Sequence, residues 1–349
     1  MVTSPSNFYY FSGTWLDSNE RLQAIIIPQI GKPVMIVHEM SKEEILFTAS
    51  FEIEFWKDGD NSIELLAEKL SSYATVSIDD SWPSGKLLEL MEYKKNVTFT
   101  KGSNIIHSLR MYKDEKEIEL LRESGKIADE VMKQIIDYIS PGTTEKEVAD
   151  EIKRLFALKG VEKLSFNPIV GAEKNGAIPH HQSDETIIRS GDMVVIDMGG
   201  VKNHYCSDIT RTIVVGEEPD EEKKNVYEVV KRAQDEAVKA IRPGIELKEI
   251  DKIARDIISK SGYGVNFTHR TGHGIGIDVH EEPYVTFNNS QVLEPGMVTS
   301  VEPGIYLSDR YGVRIEDIVL VTPVGFERLN NLSRDLIITK KPKTANMKQ

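Results

Sequence analysis

Four acids and one histidine stand where acids are costly unless a cation lies beside them. In Met193-Val-Val-Ile-Asp197 a carboxylate ends an apolar run of strand length, and burying a lone carboxylate is strongly unfavourable. Asp208 follows in Cys206-Ser-Asp-Ile-Thr-Arg-Thr. With Lys202-Asn203 as a two-residue hairpin turn, Asp197 is expected directly across from Asp208. Like charges so opposed call for a cation between them. The plainer alternative puts one Asp at a solvated sheet edge and pairs the other with Arg211. A second hairpin repeats the pattern. Val301-Glu302-Pro-Gly-Ile-Tyr306 leads through Ser308-Asp-Arg-Tyr-Gly312 to Val313-Arg-Ile-Glu316-Asp317, and a loop centred on Asp309 sets Glu302 opposite Glu316.

Nitrogen ligands come from one segment, His269-Arg-Thr-Gly-His273-Gly-Ile-Gly-Ile-Asp-Val-His280-Glu281, which holds three of the eight histidines. The glycines flanking His273 let backbones approach closely, as a crowded site requires, while His269 reads as a structural histidine. Gly272-His-Gly-Ile-Gly276 lacks the strand–turn–helix setting and the spacing of a dinucleotide loop, and no His-Glu-x-x-His zinc helix is present. Four carboxylates with one imidazole suit two divalent ions sharing bridging acids. Hard oxygen ligands favour manganese or cobalt, with iron or zinc as further candidates. Such a pair, about 3.5–4 Å apart, can bind one hydroxide and polarise a carbonyl, which is the chemistry of amide hydrolysis.

The elements that must position these residues carry a weak internal repeat. From Glu115 to Ile139, apolar residues recur at helical spacing, at Ile118, Leu121, Ala128, Met132, Ile135 and Ile139, until Ser140-Pro141-Gly142 stops the run. Thr144 with Glu147 then forms a capping box for a helix reaching Gly160. At an offset of 102, Ile139, Pro141, Gly142, Lys146, Glu147 and Gly160 match Ile241, Pro243, Gly244, Lys248, Glu249 and Gly262. Each helix pair precedes an acid-bearing strand pair, Met193–Val215 and Met297–Val321. Duplication would bring the two carboxylate hairpins face to face about a pseudo-twofold axis. Chance likeness between two amphipathic helix pairs is the competing explanation.

Residues 1–112 carry no concentrated chemistry. Strand-length runs at Ala24–Pro28 and Val34–His38, a helix at Ser62–Ser71 and a strand at Ala74–Ile78 read as a separate α/β domain ahead of residues 113–349. Two domains suit 349 residues. With 43 Lys+Arg against 56 Asp+Glu the net charge is −13, which argues against a nucleic-acid partner. No apolar run reaches membrane-spanning length, so no membrane partner is expected. Cys206 is the only thiol, and the start has neither the basic region nor the apolar run of a signal peptide, so a cytoplasmic location is expected.

On the ordered set Asp197, Asp208, His273, Glu302 and Glu316, in Gly-His-Gly, Val-Glu-Pro-Gly and Arg-Ile-Glu-Asp settings, residues 110–340 resemble the pita-bread metallopeptidases. That superfamily contains methionine aminopeptidases, prolidases and aminopeptidases P. The resemblance implies an α/β amino-terminal domain followed by an α+β pita-bread catalytic domain with pseudo-twofold symmetry, holding two divalent ions on those five ligands. It implies that Glu302 is also the proton shuttle and that His280 and His180 act on the substrate or its oxyanion, His181 being the poorer match to the latter. It also places Arg314 and Tyr306 in support of the site, against the plainer readings of an ion pair to Asp317 and a core tyrosine.

A full amino-terminal domain resembles the proline-specific branch, in which it caps the pocket and supports dimerisation. The implied function is that of a homodimeric Xaa-Pro dipeptidase acting on short proline-containing peptides. Two departures stand out. The opening residues read as strand-like, where relatives begin with a helix and a strand, and this fits an alternative or truncated start. Tyr284 stands where several prolidases carry an arginine for the dipeptide carboxylate, which keeps aminopeptidase P as the alternative. A metal-free creatinase-like hydrolase is disfavoured by the five retained ligand positions. A non-catalytic binding module is disfavoured by His180 and His280, and a methionine aminopeptidase by the extra domain.

Overall fold

A computed structural model of the protein describes residues 1–17, 20–45 and 50–339. The last ten residues of the region read as catalytic therefore lie outside the described residues. The chain divides into two compact units, Met1–Arg110 and Met111–Gln349.

The first unit holds a three-stranded sheet, in the order Ala24–Ile26, Val34–His38, Glu52–Trp56, and a parallel pair, Thr75–Ile78 with Thr98–Lys101. Its opening corrects the strand-like expectation. Ser4 is extended, its side chain accepts from the Asn7 amide, and Pro5 starts a helix that runs to Ser12. A serine cap followed by proline at the first helical position is a strong start signal. Buried Asp79 ties this helix down by accepting from the amides of Thr3 (3.0 Å) and Ser4 (2.9 Å) and from Asn7 Nδ2 (3.1 Å).

The second unit shows the repeat in its backbone. Helices Glu115–Tyr138 and Glu145–Leu158 are answered by Glu221–Ala240 and Leu247–Lys260, and the second members begin and end 102 residues apart. Thr144 and Glu147 form the expected capping box. Gly142 and Gly244, which close the two Pro-Gly breaks, both take positive φ, 101° and 86°, where a side chain would be strained. Each helix pair packs on its own sheet. The first sheet runs Ile337–Ile338, Ile209–Val214, Met193–Met198, Ile169–Ala172, and the second runs Glu281–Val285, Gly272–Gly274, Val298–Val301, Asp317–Thr322, Gly325–Arg328. Two apolar cores follow: one around Val131, Ile152 and Ile196, the other around Val230, Ile250 and Val319. The fold is thus the α/β plus pseudo-twofold α+β architecture that the resemblance implies.

The two acid hairpins differ in how well their register was anticipated. In the first, the turn is Asn203-His204, both with positive φ (49° and 67°), so Lys202 faces Tyr205 and Asp197 faces Thr210 rather than Asp208. Displacing the register by two residues keeps every side chain on its face, and Asp208 still joins Asp197 in one cavity. In the second, Gly304 faces Arg314 and Val301 faces Asp317, the register that sets Glu302 opposite Glu316. Their backbones pair elsewhere: the Glu302 amide donates to Thr271 O and the Glu316 amide to Thr210 O.

Candidate metal centre

Asp197, Asp208, His273, Glu302 and Glu316 all line one cavity of about 920 Å³, together with His180, His269, Arg270, His280 and Arg314. Strand crowding explains the Gly-His-Gly sequence. A Cβ at Gly272 would meet Ser300 O at 2.0 Å, and one at Gly274 would meet Glu282 O at 2.4 Å. Only glycines let the strand of His273 lie between its neighbours.

The donor set fits a divalent cation. Asp197, Asp208, His273 and Glu316 are each at most 8% exposed. Asp197 Oδ1, Asp208 Oδ1 and Glu316 Oε1 are buried without a hydrogen-bond partner among the described residues, although buried polar atoms are nearly always paired. The other oxygens of two of these acids are held: Arg314 donates to Asp197 Oδ2 (2.6 Å) and Thr210 to Glu316 Oε2 (2.7 Å). The pattern is one oxygen fixed and one left free. Single ligand atoms of Asp208, His273 and Glu316 lie within 4.8 Å of one another. His273 Nε2 stands 3.3 Å from Glu302 Oε1 and 3.7 Å from Asp208 Oδ2. With its Nδ1 turned to Gly274 O at 3.0 Å, a neutral imidazole directs the Nε2 lone pair into this group.

Electrostatics point the same way. Burial, then the charges of Glu316, Asp197 and Glu302, push the Asp208 carboxyl well above the carboxylate range. Burial and the neighbouring Glu302 and Asp197 do the same to Glu316. Burial raises Glu302 to about 7, against the pull of Arg314. Burial and His280 press His273 down to about 3. Acids that resist ionisation beside an imidazole that resists protonation are what a cation relieves.

A second acid–histidine group, Glu145, His181 and Asp184, is different. Glu145 is fully buried and already accepts from Ala172 N (2.7 Å), Asn175 Nδ2 (3.0 Å), His181 Nε2 (2.7 Å) and Asp184 N (3.4 Å). It is a hydrogen-bonded anchor for the loop that carries His180, and no oxygen is left over.

His180 and His280 are exposed to the cavity, and the His280 ring meets that of His273 edge-on at 4.4 Å. Burial, and then Arg270 and His180, lower the His280 pKa. Arg314 and Tyr306 are buried and linked to each other. Arg314 donates to Tyr306 Oη (2.9 Å) as well as to Asp197, which replaces the expected alternative of an ion pair to Asp317. Asp317 is instead bound by Arg211, Arg328 and Arg334. Tyr306 Oη continues the chain to His269 Nε2 (2.8 Å), whose Nδ1 faces Arg270 O (2.7 Å). Burial lowers His269 to about 4, so it is a neutral member of this network.

Sequence reasoning assigned no role to Arg270. Its guanidinium lies over the Tyr284 ring, 4.3 Å from the centroid, at the cavity wall. Its position two residues before Gly272 was a weak signal. The contact depends on the pairing of His273 with Tyr284 and on a register shift immediately after it.

Comparison with known proteins agrees with this geometry. Residues 119–323 match the model of metallopeptidase family M24, and residues 1–112 match the creatinase/prolidase N-terminal domain. A probable dipeptidase PepE of Mycobacterium tuberculosis is 37% identical over 97% of this chain and 91% of its own length. A Xaa-Pro dipeptidase of Pyrococcus furiosus is 38% identical, over 96% and 94%. Among solved structures, a recombinant prolidase from Thermococcus sibiricus superposes with a TM-score of 0.92 at 40% identity, over 97% of this chain and 93% of the other. With a duplicated core, five convergent donors and these likenesses along nearly its whole length, the chain belongs to metallopeptidase family M24 and carries the creatinase/prolidase amino-terminal domain.

Proposed function

We propose that this protein is a metal-dependent Xaa-Pro dipeptidase that hydrolyses the amide bond before proline in small peptides. The observation that carries the reading is the set of three buried carboxylate oxygens without donors, gathered with His273 in one cavity. Asp197, Asp208, His273, Glu302 and Glu316 would hold two divalent ions. Manganese or cobalt suits this oxygen-rich set. When bound, such ions supply Lewis-acid polarisation of the scissile carbonyl and acidify the attacking water.

The chain's own groups do the rest. Glu302 takes the proton of the attacking water and returns it to the prolyl nitrogen as the carbon–nitrogen bond breaks, so that proline leaves as a neutral secondary amine. Ser300 Oγ holds Glu302 Oε1 at 3.2 Å, which limits its rotation. His280 and His180, both on the cavity wall, would donate to the oxyanion. Arg314 fixes Asp197 and is itself fixed by Tyr306. A proline-dedicated site fits the substrate chemistry, since the tertiary amide has no N–H to offer a general peptidase. A cytoplasmic homodimer completes the reading, on the family resemblance.

One observation favours a second reading. The cavity reaches Lys146, Asp150 and Lys153 on the helix Glu145–Leu158, beyond the five donors. That space suits a longer peptide, whose amino-terminal residue would be released as by aminopeptidase P. Chelated protein resupplied with manganese or cobalt, offered a Xaa-Pro dipeptide and a Xaa-Pro-Yaa tripeptide, separates the two. The dipeptidase cleaves the dipeptide at least tenfold more efficiently by kcat/KM. A reversed preference assigns the aminopeptidase, and cleavage of neither rejects both.

A further inference from the structure

A dipeptide differs from every longer substrate in one chemical feature at its far end: a free carboxylate one residue beyond the scissile bond. A dipeptidase must recognise that charge with a cation that has no other partner. Four lysines and arginines line the cavity: Lys146, Lys153, Arg270 and Arg314. Lys146 is paired with Glu185 at 2.6 Å and Lys153 with Asp150 at 2.9 Å. The guanidinium of Arg314 donates to Asp197, Tyr306, Thr210 and the Pro179 carbonyl. None of these three is free to receive an anion.

Arg270 differs from them. It is half-buried, and among the described residues its guanidinium has no carboxylate partner. It rests on the face of Tyr284, 4.3 Å from the ring centroid. Stacking on an aromatic face holds the planar fork of an arginine without using its N–H donors, which remain available for bidentate capture of a carboxylate. The backbone fixes the pair. His273 faces Tyr284 across the strand pair, and the Thr271 amide donates to Val285 O, which brings Arg270, two residues before the strand Gly272–Gly274, against the strand of Tyr284. His273 follows three residues later, and Arg270, His273, His280 and Glu302 line the same cavity. The cation therefore lies beside the reacting groups, on the wall it shares with His280.

We propose that Arg270, oriented by Tyr284, is the residue that binds the carboxylate of the dipeptide and so confers dipeptidase specificity. The inference rests on the dipeptidase reading and names the recognition element that reading requires. Tyr284 then acts as a positioning residue for the cation rather than as a direct contact of the substrate carboxylate.

The test compares wild type, Arg270→Ala, Arg270→Lys, Tyr284→Phe and Tyr284→Ala on Ala-Pro and on its carboxamide, Ala-Pro-NH2, with metal content and melting temperature measured for each. Wild type is expected to favour the free acid. Arg270→Ala should raise KM for Ala-Pro about 10- to 100-fold, the range for losing a charge-assisted hydrogen-bonded pair. Its kcat should change less than threefold, and KM for the amide less than twofold. Arg270→Lys should recover part of the loss, Tyr284→Phe should match wild type, and Tyr284→Ala should fall between. Binding of proline against prolinamide to the metal-loaded protein gives the same contrast without turnover.

Equal losses on acid and amide, or undiminished discrimination in Arg270→Ala, would overturn the assignment while leaving the dipeptidase reading intact. Wild type that cleaves no Xaa-Pro dipeptide overturns both. A variant that binds less metal or melts lower than wild type, with parallel losses on both substrates, shows a structural role and also counts against the assignment.

Discussion

Replacing Glu302 by glutamine should make the metal-free protein more stable and the metal-loaded protein less so. Burial raises the Glu302 carboxyl from 4.5 to about 7, and each pH unit of such displacement is worth about 1.4 kcal/mol. The folded, metal-free protein is therefore destabilised by about 3 kcal/mol once this group is forced to ionise. Because Glu302, Asp208 and Glu316 share one cavity, the figure belongs to the cluster. The sign follows from the direction of the displacement. A carboxyl whose folded pKa lies above its unfolded value costs nothing below pH 4.5. Its cost grows between pH 4.5 and about 7 and is complete above that.

Urea denaturation of both proteins in chelator at pH 5, 6, 7 and 8 reads this directly. Trp15, Trp56 and Trp82 all belong to the first unit, so indole fluorescence reports on that unit. Far-ultraviolet circular dichroism follows the long helices Glu115–Tyr138 and Glu221–Ala240 of the second. Glu302→Gln should exceed wild type by up to about 3 kcal/mol at pH 8 and approach it at pH 5. Manganese at a thousandfold its Kd should reverse the order, since it then adds about 4.1 kcal/mol to the form that binds it. Equal stability in chelator at pH 8, or a gap that widens toward pH 5, would refute the reasoning.

Further outcomes follow from other parts of the structure. Gly272→Ala would drive a Cβ to 2.0 Å from Ser300 O, so the strand of His273 must shift; melting should fall and metal affinity by calorimetry should drop at least tenfold. Glu145→Ala removes the acceptor of four hydrogen bonds, two of them buried; a loss of about 3 kcal/mol is expected, with a lower kcat as the His180 loop loosens, and unchanged kcat would show that the loop is held otherwise. Burial works to raise Asp79, but bonds from Thr3, Ser4 and Asn7 outweigh it and hold its pKa below the usual value. Its contribution is present above the unfolded pKa of about 3.8 and is lost as pH falls through the folded one. Asp79→Ala should therefore lower the urea midpoint of the first unit, followed by indole fluorescence, at pH 7 by more than at pH 3.

Much of the site was legible because its information is local. Thr144 and Glu147 announce their capping box three residues apart, and the Pro-Gly breaks mark the repeat. The odd loop about Asp309 set the second hairpin correctly. The first hairpin slipped because its turn needs positive φ at two residues. Asparagine advertises that conformation, whereas His204 does not, so the turn was drawn one residue early. The error moved the register by two, an even number, and left both acids facing inward. Arg270 was not legible, since its contact with Tyr284 runs from the loop before Gly272 to the neighbouring strand, beside a register shift between His273 and Gly274. The opening helix depends on its cap, Ser4-Pro5, whereas its aromatic residues Phe8, Tyr9, Tyr10 and Phe11 are of types enriched in strands.

The most direct test is calorimetric titration of the chelated protein with manganese, with release of proline from Ala-Pro followed in the same samples. Two ions per chain, with hydrolysis absent in chelator and rising as the ions bind, is the predicted result. Proline release that persists in chelator, or a chain that binds no divalent ion, would contradict the account.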